Sequence, residues 1–186
     1  QAGADVVTGH TASDRAETML LQLARGSDLA GLAALPSVRP LSPEGPLLRR
    51  PLLHLQRRDT LQICQDLALP IWEDPSNQSP EFSRNRIRQE VLPVLEALHP
   101  GSTQRMSDLA ERVSQVRDSQ TELSQMALKL LQTAAGLDRR GLGALSSASR
   151  RLLLAQWLQQ QGVPALPASQ LDLSLIHISE PTRQIR

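Results

Sequence analysis

The stretch "DVVTGHTASDRAET", residues 5–18, decides the fold class because a short apolar run leads at once into a helical pattern. "DVV" has the profile of a buried parallel strand. Thr11, with Asp14 three residues later, is typical of a helix N-terminus, and Arg25-Gly26 is typical of its end. Sheets of α/β proteins bind ligands where a strand passes through polar residues into a helix. We therefore predict an α/β fold.

The rest of the chain changes character near residue 100. Residues 36–51 are rich in proline, which predicts a loop or irregular crossover. From residue 102 onward, apolar residues at alternating steps of three and four predict an amphipathic helix of roughly thirty residues. "RRLLLAQWLQQQ" predicts a further helix that ends at Gly162. We expect a mixed α/β part in residues 1–100 and a helical segment in residues 101–172.

Composition excludes several classes of protein. The 186 residues carry a net charge of +1, so any contact with nucleic acid must come from local clusters of charge. A single cysteine, Cys64, excludes an intrachain disulfide framework and argues against a structural zinc site. The chain contains no apolar run long enough for a membrane span and no N-terminal signal peptide. These features predict a cytoplasmic protein with no membrane partner, in which Trp72 and Trp157 pack in the interior.

Both ends predict that the sequence is a piece of a longer reading frame. It begins at Gln1, directly before a strand that already runs into its helix. The other end contains "LSLIHISEPTR", residues 173–183, which resembles a translation of the transposon-end adapter used in sequencing libraries. We therefore expect residues 173–186 to be non-native and assign no function to them.

The first candidate site lies in the opening stretch. His10, Asp14 and Glu17 are separated by four and three residues, which places their side chains on one face of a helix. Such a group could hold a magnesium–phosphate unit or position an amine. The alternative is a solvated first helical turn, where acidic side chains are favoured by the helix dipole.

The second candidate site is "WEDPSNQSPEFSRNRIR", residues 72–88. Arg84, Arg86 and Arg88 crowd the first turns of a predicted helix, where they oppose the helix dipole and one another. Helix stability therefore does not explain them, whereas phosphate groups of a nucleotide or an RNA backbone would. The alternative is a salt-bridged loop in which nearby acids neutralise the arginines.

Together, the two motifs resemble the tRNA(Ile)-lysidine synthetase family of the PP-loop ATP pyrophosphatase superfamily. The family's His and Asp-Asp-Gln-Ala-Glu-Thr string stands here as "HTASDRAET", residues 10–18, with Ser13 where many members have an acid. The leucine-rich run with Arg-Gly-Ser, then "RPLL", "WEDPSNQ" and "RNRIRQEVLPVL", follow in the family's order. The likeness covers residues 4 to about 100, continues more weakly to about 172, and is similar to the cyanobacterial branch.

The resemblance implies a fold, a reaction and its partners. The fold would be a parallel-sheet nucleotide-binding core of the PP-loop, adenine-nucleotide α-hydrolase-like type, truncated here, followed by a helical segment that faces tRNA. The family activates C2 of the wobble cytidine of tRNA(Ile) with ATP, and the ε-amine of free L-lysine then displaces AMP. The implied cofactors are ATP and Mg²⁺, and the implied tRNA(Ile) has a CAU anticodon. The sequence leaves the oligomeric state open, a homodimer included.

The resemblance also implies roles for individual residues. Asp14 and Glu17 would serve the lysine ammonium group or magnesium, with Asp14 as the magnesium contact. Arg84 and Arg86 would act on the polyphosphate or the target nucleotide. The residues assigned to substrate or nucleotide binding are His10, Arg25, Asp74, Asn77 and Asn85.

One family element has no counterpart in the sequence. The phosphate-binding loop, Ser-Gly-Gly-x-Asp-Ser, would lie upstream of residue 1, so we expect the isolated chain to be inactive. Two other functions stay open: a different PP-loop enzyme that modifies tRNA, or a non-catalytic helical module that binds tRNA. A lone cysteine argues against sulfur insertion, and residues 100–170 have no basic stripe or aromatic platform for single-stranded RNA.

Overall fold

The computed structural model describes residues 4–42, 44–72, 74–134, 136–164, 166 and 170–171. The chain divides into two compact units, Gln1–Arg117 and Asp118–Arg186. The predicted adapter-like end, residues 173–186, lies outside the described residues. The α/β class predicted from the opening stretch is confirmed, with a small sheet and a large share of helix.

The sheet of the first unit has three strands in the order β1-β3-β2. β1 (Val6–Val7) pairs in parallel with β3 (Leu47–Arg49), and β2 (Val38–Pro40) pairs antiparallel with β3. The expected loop over residues 36–51 is therefore wrong. Proline is tolerated because β2 lies at an edge of the described sheet, where a missing N–H breaks no ladder bond. β1 is the other edge and is exposed rather than buried.

Helix α1 (Ala12–Ala24) follows β1 as predicted, with Thr11 as its N-cap residue. The Asp14 carboxylate accepts hydrogen bonds from the backbone N–H and the hydroxyl of Thr11, each at 2.8 Å. After the C-cap residue Arg25, Gly26 adopts a φ of +69°, a conformation that glycine adopts without strain. The start and the end of α1 are therefore both fixed by local chemistry.

The first unit continues with short helices. α2 (Leu29–Leu32) follows α1, and α3 (Arg57–Asp66) follows β3. A 3₁₀ turn, Pro75–Gln78, precedes α4 (Ser83–Arg86), a π-helical segment (Ile87–Val91) and α5 (Leu92–Leu98). Pro93 has no N–H to donate, which accounts for the wider hydrogen-bond register before it and the new helix start at Leu92.

Helix α6 (Ser102–Leu131) is the predicted thirty-residue helix, and the division between the two units falls within it. Its start is held by Glu96, whose carboxylate accepts backbone N–H bonds from Gly101 and Thr103, each at 2.7 Å. In the first unit, Met19 of α1 and Ala110 of α6 pack with Ala34 in a small buried cluster.

The second unit contains a short hairpin, β4 (Gln132–Thr133) with β5 (Gly136–Leu137), and helices α7 (Arg139–Gly143) and α8 (Ser147–Gln160). Leu128, Leu142 and Leu153 form its buried core. Trp157 packs against that core as predicted.

Trp72 belongs to the first unit and does not pack as predicted. Its side chain is 93% exposed, in the turn-rich loop before Pro75. The prediction that this residue is interior is therefore wrong.

Candidate functional site

The two sequence motifs meet in one cluster of charges. Glu17 of α1 accepts a hydrogen bond from Arg84 Nε at 2.8 Å and bonds from Arg88 Nε and Nη2 at 2.6 and 2.9 Å. Asp14, one turn earlier, accepts from Arg84 Nη2 at 2.9 Å. Some seventy residues of chain separate the partners. We call these four residues, Asp14, Glu17, Arg84 and Arg88, the carboxylate–arginine cluster.

Burial divides the cluster into an inner and an outer part. The Glu17 side chain is 1% exposed, whereas those of Asp14 and Arg88 are 22% and 21% exposed and that of Arg84 is 38% exposed. A buried carboxylate needs compensating donors, and the two arginines supply them to both oxygens of Glu17. Glu17 therefore holds the two arginines from the buried side of the cluster, and Asp14 and Arg84 form its solvent-accessible side.

The electrostatics of the cluster keep its outer acid ionised. Burial by itself would raise the pKa of Asp14, but the Thr11 hydrogen bonds and the positive charge of Arg84 outweigh it, so the pKa lies below its ordinary value. The hydrogen bonds to Glu17 raise the pKa of Arg88. Asp14 is consequently a carboxylate at neutral pH.

His10 lies beside the cluster, at the point where the chain passes from β1 into α1. Its Nδ1 is hydrogen bonded to the hydroxyl of Thr8 at 2.8 Å. Burial lowers the pKa of His10, and the charges of Arg50 and Arg84 act in the same direction while Asp14 opposes them. The imidazole is therefore neutral at pH 7 and can donate and accept hydrogen bonds.

The loop before α4 is held in shape by Asn85. Its buried side-chain amide donates to the carbonyl oxygens of Ser76 and Ser79 at 2.8 and 2.9 Å. Asp74 caps the 3₁₀ turn by accepting from the Ser76 backbone, which lowers the pKa of its carboxyl group. Asn77 is exposed on the same turn. Asn85 thus connects the loop to the helix that carries Arg84.

Two of the predicted site residues lie outside the cluster. Arg86 forms an exposed pair with Glu90, one turn along its own helix, with Nη2 to Oε2 at 2.9 Å. Arg25 is exposed at the C-cap of α1, eight residues beyond Glu17, which corresponds to about 12 Å along a helix. The structure therefore does not bring Arg86 or Arg25 to Asp14 and Glu17.

Arg88 is the cluster residue that the sequence prediction left unassigned. Residues four apart share a helix face, so Arg84 and Arg88 point one way and Arg86 points another. This spacing was a usable signal in the sequence. It separates the arginines into two sets, although it does not say which set faces the acids. The salt-bridged alternative was right that acids neutralise the arginines, but the acids of the described cluster come from α1 rather than from the loop.

The side chains of the described residues do not assemble a metal centre. No group of three His, Cys, Asp or Glu side chains that could hold a metal ion occurs among residues 4–42, 44–72, 74–134, 136–164, 166 and 170–171. Both oxygens of Asp14 already accept hydrogen bonds, one from Thr11 and the other from Arg84.

Among the residues that the structure describes, no helix has the length and apolar character needed to cross a bilayer.

Two protein-family models match separate parts of the chain. A PP-loop domain model matches residues 1–95, and a model described as the TilS substrate binding domain matches residues 137–184. The chain belongs to the PP-loop family. The second match reaches into the adapter-like residues 173–184, whose predicted origin stays a prediction.

Curated relatives point to the same branch of that family. A protein of Parasynechococcus marenigrum named tRNA(Ile)-lysidine synthase is 69% identical over 173 residues, 91% of this chain and 51% of that protein. One of Prochlorococcus marinus with the same name is 47% identical over 90% of this chain and 49% of its own length. The family recognised from the motifs, including its cyanobacterial character, is confirmed. The chain spans about half the length of these relatives.

Likeness extends beyond the cyanobacteria. A Methylococcus capsulatus protein, also named tRNA(Ile)-lysidine synthase, is 36% identical over 90% of this chain and 38% of its own length. The PP-loop match supports the use of ATP predicted from the motifs. The domain limits predicted at residues 100 and 172 stay predictions, although the first match ends close to the first of them.

Proposed function

We propose that the protein to which this chain belongs attaches lysine to C2 of the wobble cytidine of tRNA(Ile), with ATP as the activating substrate. The observation that carries the proposal is the carboxylate–arginine cluster, which unites both family motifs at one place. The two matched families and the names of the relatives support the same reaction.

The reaction has two steps. The C2 oxygen of cytidine attacks the α-phosphorus of ATP, the bond to pyrophosphate breaks, and an adenylated base remains. The lysine ε-amine then attacks C2, the C–O bond breaks so that AMP departs with that oxygen, and the amine loses a proton. The protein must therefore hold phosphates, an amine and an RNA base together.

We assign different roles to the two acids. Asp14 is ionised and partly exposed, so it can bind the lysine ammonium group and orient the amine. Glu17 is buried against two arginines, so its role is to position Arg84 and Arg88 rather than to touch substrate. This assignment refines the sequence prediction, which placed both acids in the catalytic group.

The arginines and His10 would meet the nucleotide. Arg84 uses Nε and Nη2 within the cluster, and its partly exposed guanidinium would also contact phosphate oxygens or the target nucleotide. Neutral His10 would support the nucleotide pocket by hydrogen bonding. Asp74 and Asn77 would border the site on the loop that Asn85 holds. Arg25 and Arg86, which lie apart from the cluster, stay predictions as binding and catalytic residues.

Magnesium stays a prediction on different grounds. Among the described residues, no group of three His, Cys, Asp or Glu side chains could hold the ion. We therefore assign no step to a protein-bound metal ion. The proposal also includes free lysine as the substrate, the CAU anticodon of the tRNA and a cytoplasmic location. The oligomeric state, a homodimer included, stays open.

The direct test uses a chimera, because the chain spans half the length of its relatives. The matching segment of the Parasynechococcus marenigrum relative is replaced by residues 4–172 of this chain and incubated with ATP, labelled lysine and a tRNA(Ile) transcript with a CAU anticodon. We expect lysine incorporation with one AMP and one pyrophosphate per lysine. The matched control is the same chimera carrying Asp14→Asn.

Two results would contradict the proposal. One is tRNA binding by the chimera without any lysine incorporation, which fits a non-catalytic module. The other is ATP-dependent modification of the tRNA that proceeds without lysine, which fits a different PP-loop enzyme. A transcript with a CAG anticodon serves as the substrate control and should accept no lysine.

A further inference from the structure

A second polar site lies on another face of α1. It is an open groove of about 380 Å³ in the first unit, and it is lined in part by Arg15, Arg50, His54, Asp108 and Glu111. At about 100° per residue, Arg15 is turned about 100° from Asp14 and about 160° from Glu17 around the helix. Arg15 therefore lines the groove from a different face of α1 than the face that carries Asp14 and Glu17. Arg50 opens the "RPLL" motif, to which the proposed reaction gives no role.

Arg50 is a buried cation without a counterion among the described residues. The residue is 6% exposed, and its Nη1 donates to the carbonyl oxygen of Pro36 at 2.7 Å. Its Nε is fully buried and has no hydrogen-bond partner. Burial lowers the pKa of Arg50, and the positive charges of Arg39 and Arg15 lower it further. A buried charge without a partner is costly, so this residue needs an explanation.

Neither acid of the groove forms an ion pair with Arg50. Glu111 pairs with Arg15 Nη1 at 2.9 Å, and Asp108 accepts from the side-chain amide of Gln104 at 2.9 Å. Arg15 also donates twice to the carbonyl oxygen of Leu35. Arg15 is thus a satisfied structural residue. The positive charge of Arg50 is left to be balanced by a ligand.

We propose that the Arg50 groove binds one phosphodiester group of the tRNA backbone. The inference rests on the proposed function, which supplies the tRNA. One unpaired arginine matches a group with one negative charge. The carboxylate of Asp108 in the same groove would repel a free triphosphate, with its several charges, more strongly than a phosphodiester with one. The groove would hold the RNA backbone while the carboxylate–arginine cluster acts on the target base.

The salt dependence of tRNA binding tests the proposal. Each phosphate contact contributes about one to the slope of log affinity against log salt concentration. In the chimera described above, we expect Arg50→Gln to lower the affinity for tRNA(Ile) about tenfold and to reduce that slope by about one. Arg50→Lys should restore the slope but not all of the affinity, because lysine keeps the charge without the guanidinium fork.

The matched control is Arg58→Gln, which removes the same charge from a side chain that is 78% exposed. Equal losses in Arg50→Gln and Arg58→Gln would overturn the proposal, since they would reflect net charge alone. An Arg50→Gln effect on ATP affinity without an effect on tRNA would overturn it in favour of a free nucleotide. If the unsubstituted chimera neither binds tRNA(Ile) nor incorporates lysine, the proposed function itself fails, which is a separate result.

A spectroscopic measurement covers the case in which Arg50→Gln does not fold. The Arg50 Nε–H group is shielded from water, so its NMR signal is observable and disappears in Arg50→Lys. Titration of the unsubstituted chain with a short RNA oligonucleotide should shift this signal, and inorganic phosphate should shift it in the same direction at higher concentration. A signal that stays in place at saturating RNA would overturn the proposal.

Discussion

Buried charge is compensated by ion pairs beside one face of α1 and is left without an ion pair beside another. On one face, Glu17 is buried with two arginines that together satisfy both of its oxygens. In the groove that Arg15 lines from another face, Arg50, which follows β3, is buried near further cations and has no acid partner in the described part of the chain. The first arrangement is complete within the fold. The second is completed only by an anion from outside.

Whether a buried charge has a partner within the fold distinguishes residues that position a site from residues that bind a ligand. A charge that is buried and fully paired belongs to the framework of a site, and its removal leaves the partner charges uncompensated. A charge that is buried and unpaired marks the place of a ligand, and its removal weakens binding more than folding. Four predictions test this comparison, from the largest expected effect to the smallest.

Glu17→Gln should have the largest effect on stability. It leaves Arg84 and Arg88 without their buried acid, and we expect the free energy of unfolding to fall by about 2–3 kcal/mol. The measurement is urea denaturation at pH 7. Glu90→Gln breaks only an exposed pair with Arg86 and is the control, with an expected loss under about 0.5 kcal/mol. Similar losses in the two variants would contradict the inner position of Glu17.

Arg88→Lys should lower lysine incorporation in the chimera about thirtyfold, or about 2 kcal/mol in kcat/KM. A lysine cannot reproduce the two-point contact of Arg88 with Glu17, so the cluster would lose its geometry. Arg86→Lys should change kcat/KM less than threefold, because that side chain pairs with Glu90. A larger loss of kcat/KM in Arg86→Lys than in Arg88→Lys would favour the sequence prediction, which gave a role to Arg86 and none to Arg88.

Asn85→Ala should cost about 1–2 kcal/mol of stability. The change removes two hydrogen bonds from a buried amide and leaves the carbonyl oxygens of Ser76 and Ser79 without their donor. Asn77→Ala, on the exposed side of the same loop, should change the free energy of unfolding by less than about 0.5 kcal/mol. Thermal denaturation of the two variants compares them directly.

Glu96→Gln should have the smallest effect, about 1 kcal/mol at pH 7, and the effect should depend on pH. Hydrogen bonds from Thr103 and Gly101 lower the pKa of Glu96 from 4.5 to about 2 in the folded chain. The ionised group therefore stabilises the fold above pH 4.5, and this stabilisation is lost as the pH falls towards 2. Denaturation at several pH values should show the difference from the unsubstituted chain shrinking over that range.

The Glu96 variant also bears on the comparison of the two faces. Glu96 holds the first turn of α6, the helix that supplies Asp108 and Glu111 to the groove. A looser helix start should weaken the Arg50 groove more than the carboxylate–arginine cluster. A Glu96→Gln stability difference that persists unchanged at pH 2 would contradict the capping role.

Local features of the fold were predictable because their causes are local. Thr11 begins α1 through bonds to its own neighbours, and Gly26 ends it through its backbone conformation. Pro93 restarts a helix because it has no N–H. The strand at residues 38–40 was missed because an edge position, which only the sheet defines, makes its proline acceptable. The central strand at residues 47–49 contains no proline, and it was missed because Pro46 and Pro51 on either side of it indicated a loop.

The candidate site was predictable in part. The sequence selected the acids and the arginine-rich helix start, and helical spacing separates Arg84 and Arg88 from Arg86. It did not show that Glu17 would be buried, or that Arg88 would be its closest partner. Burial depends on which helix face another element covers, and no pattern within a single element reports that.

The sequence by itself therefore determined the limits of α1, the long helix α6, the α/β class and the family of this protein. Only the tertiary structure decided which charges meet. It joined Asp14 and Glu17 to arginines seventy residues away, and it left Arg50 buried without an acid. The physical reason is that pairing and desolvation are set by packing between distant segments, whereas caps, turns and periodicity are set by neighbours along the chain.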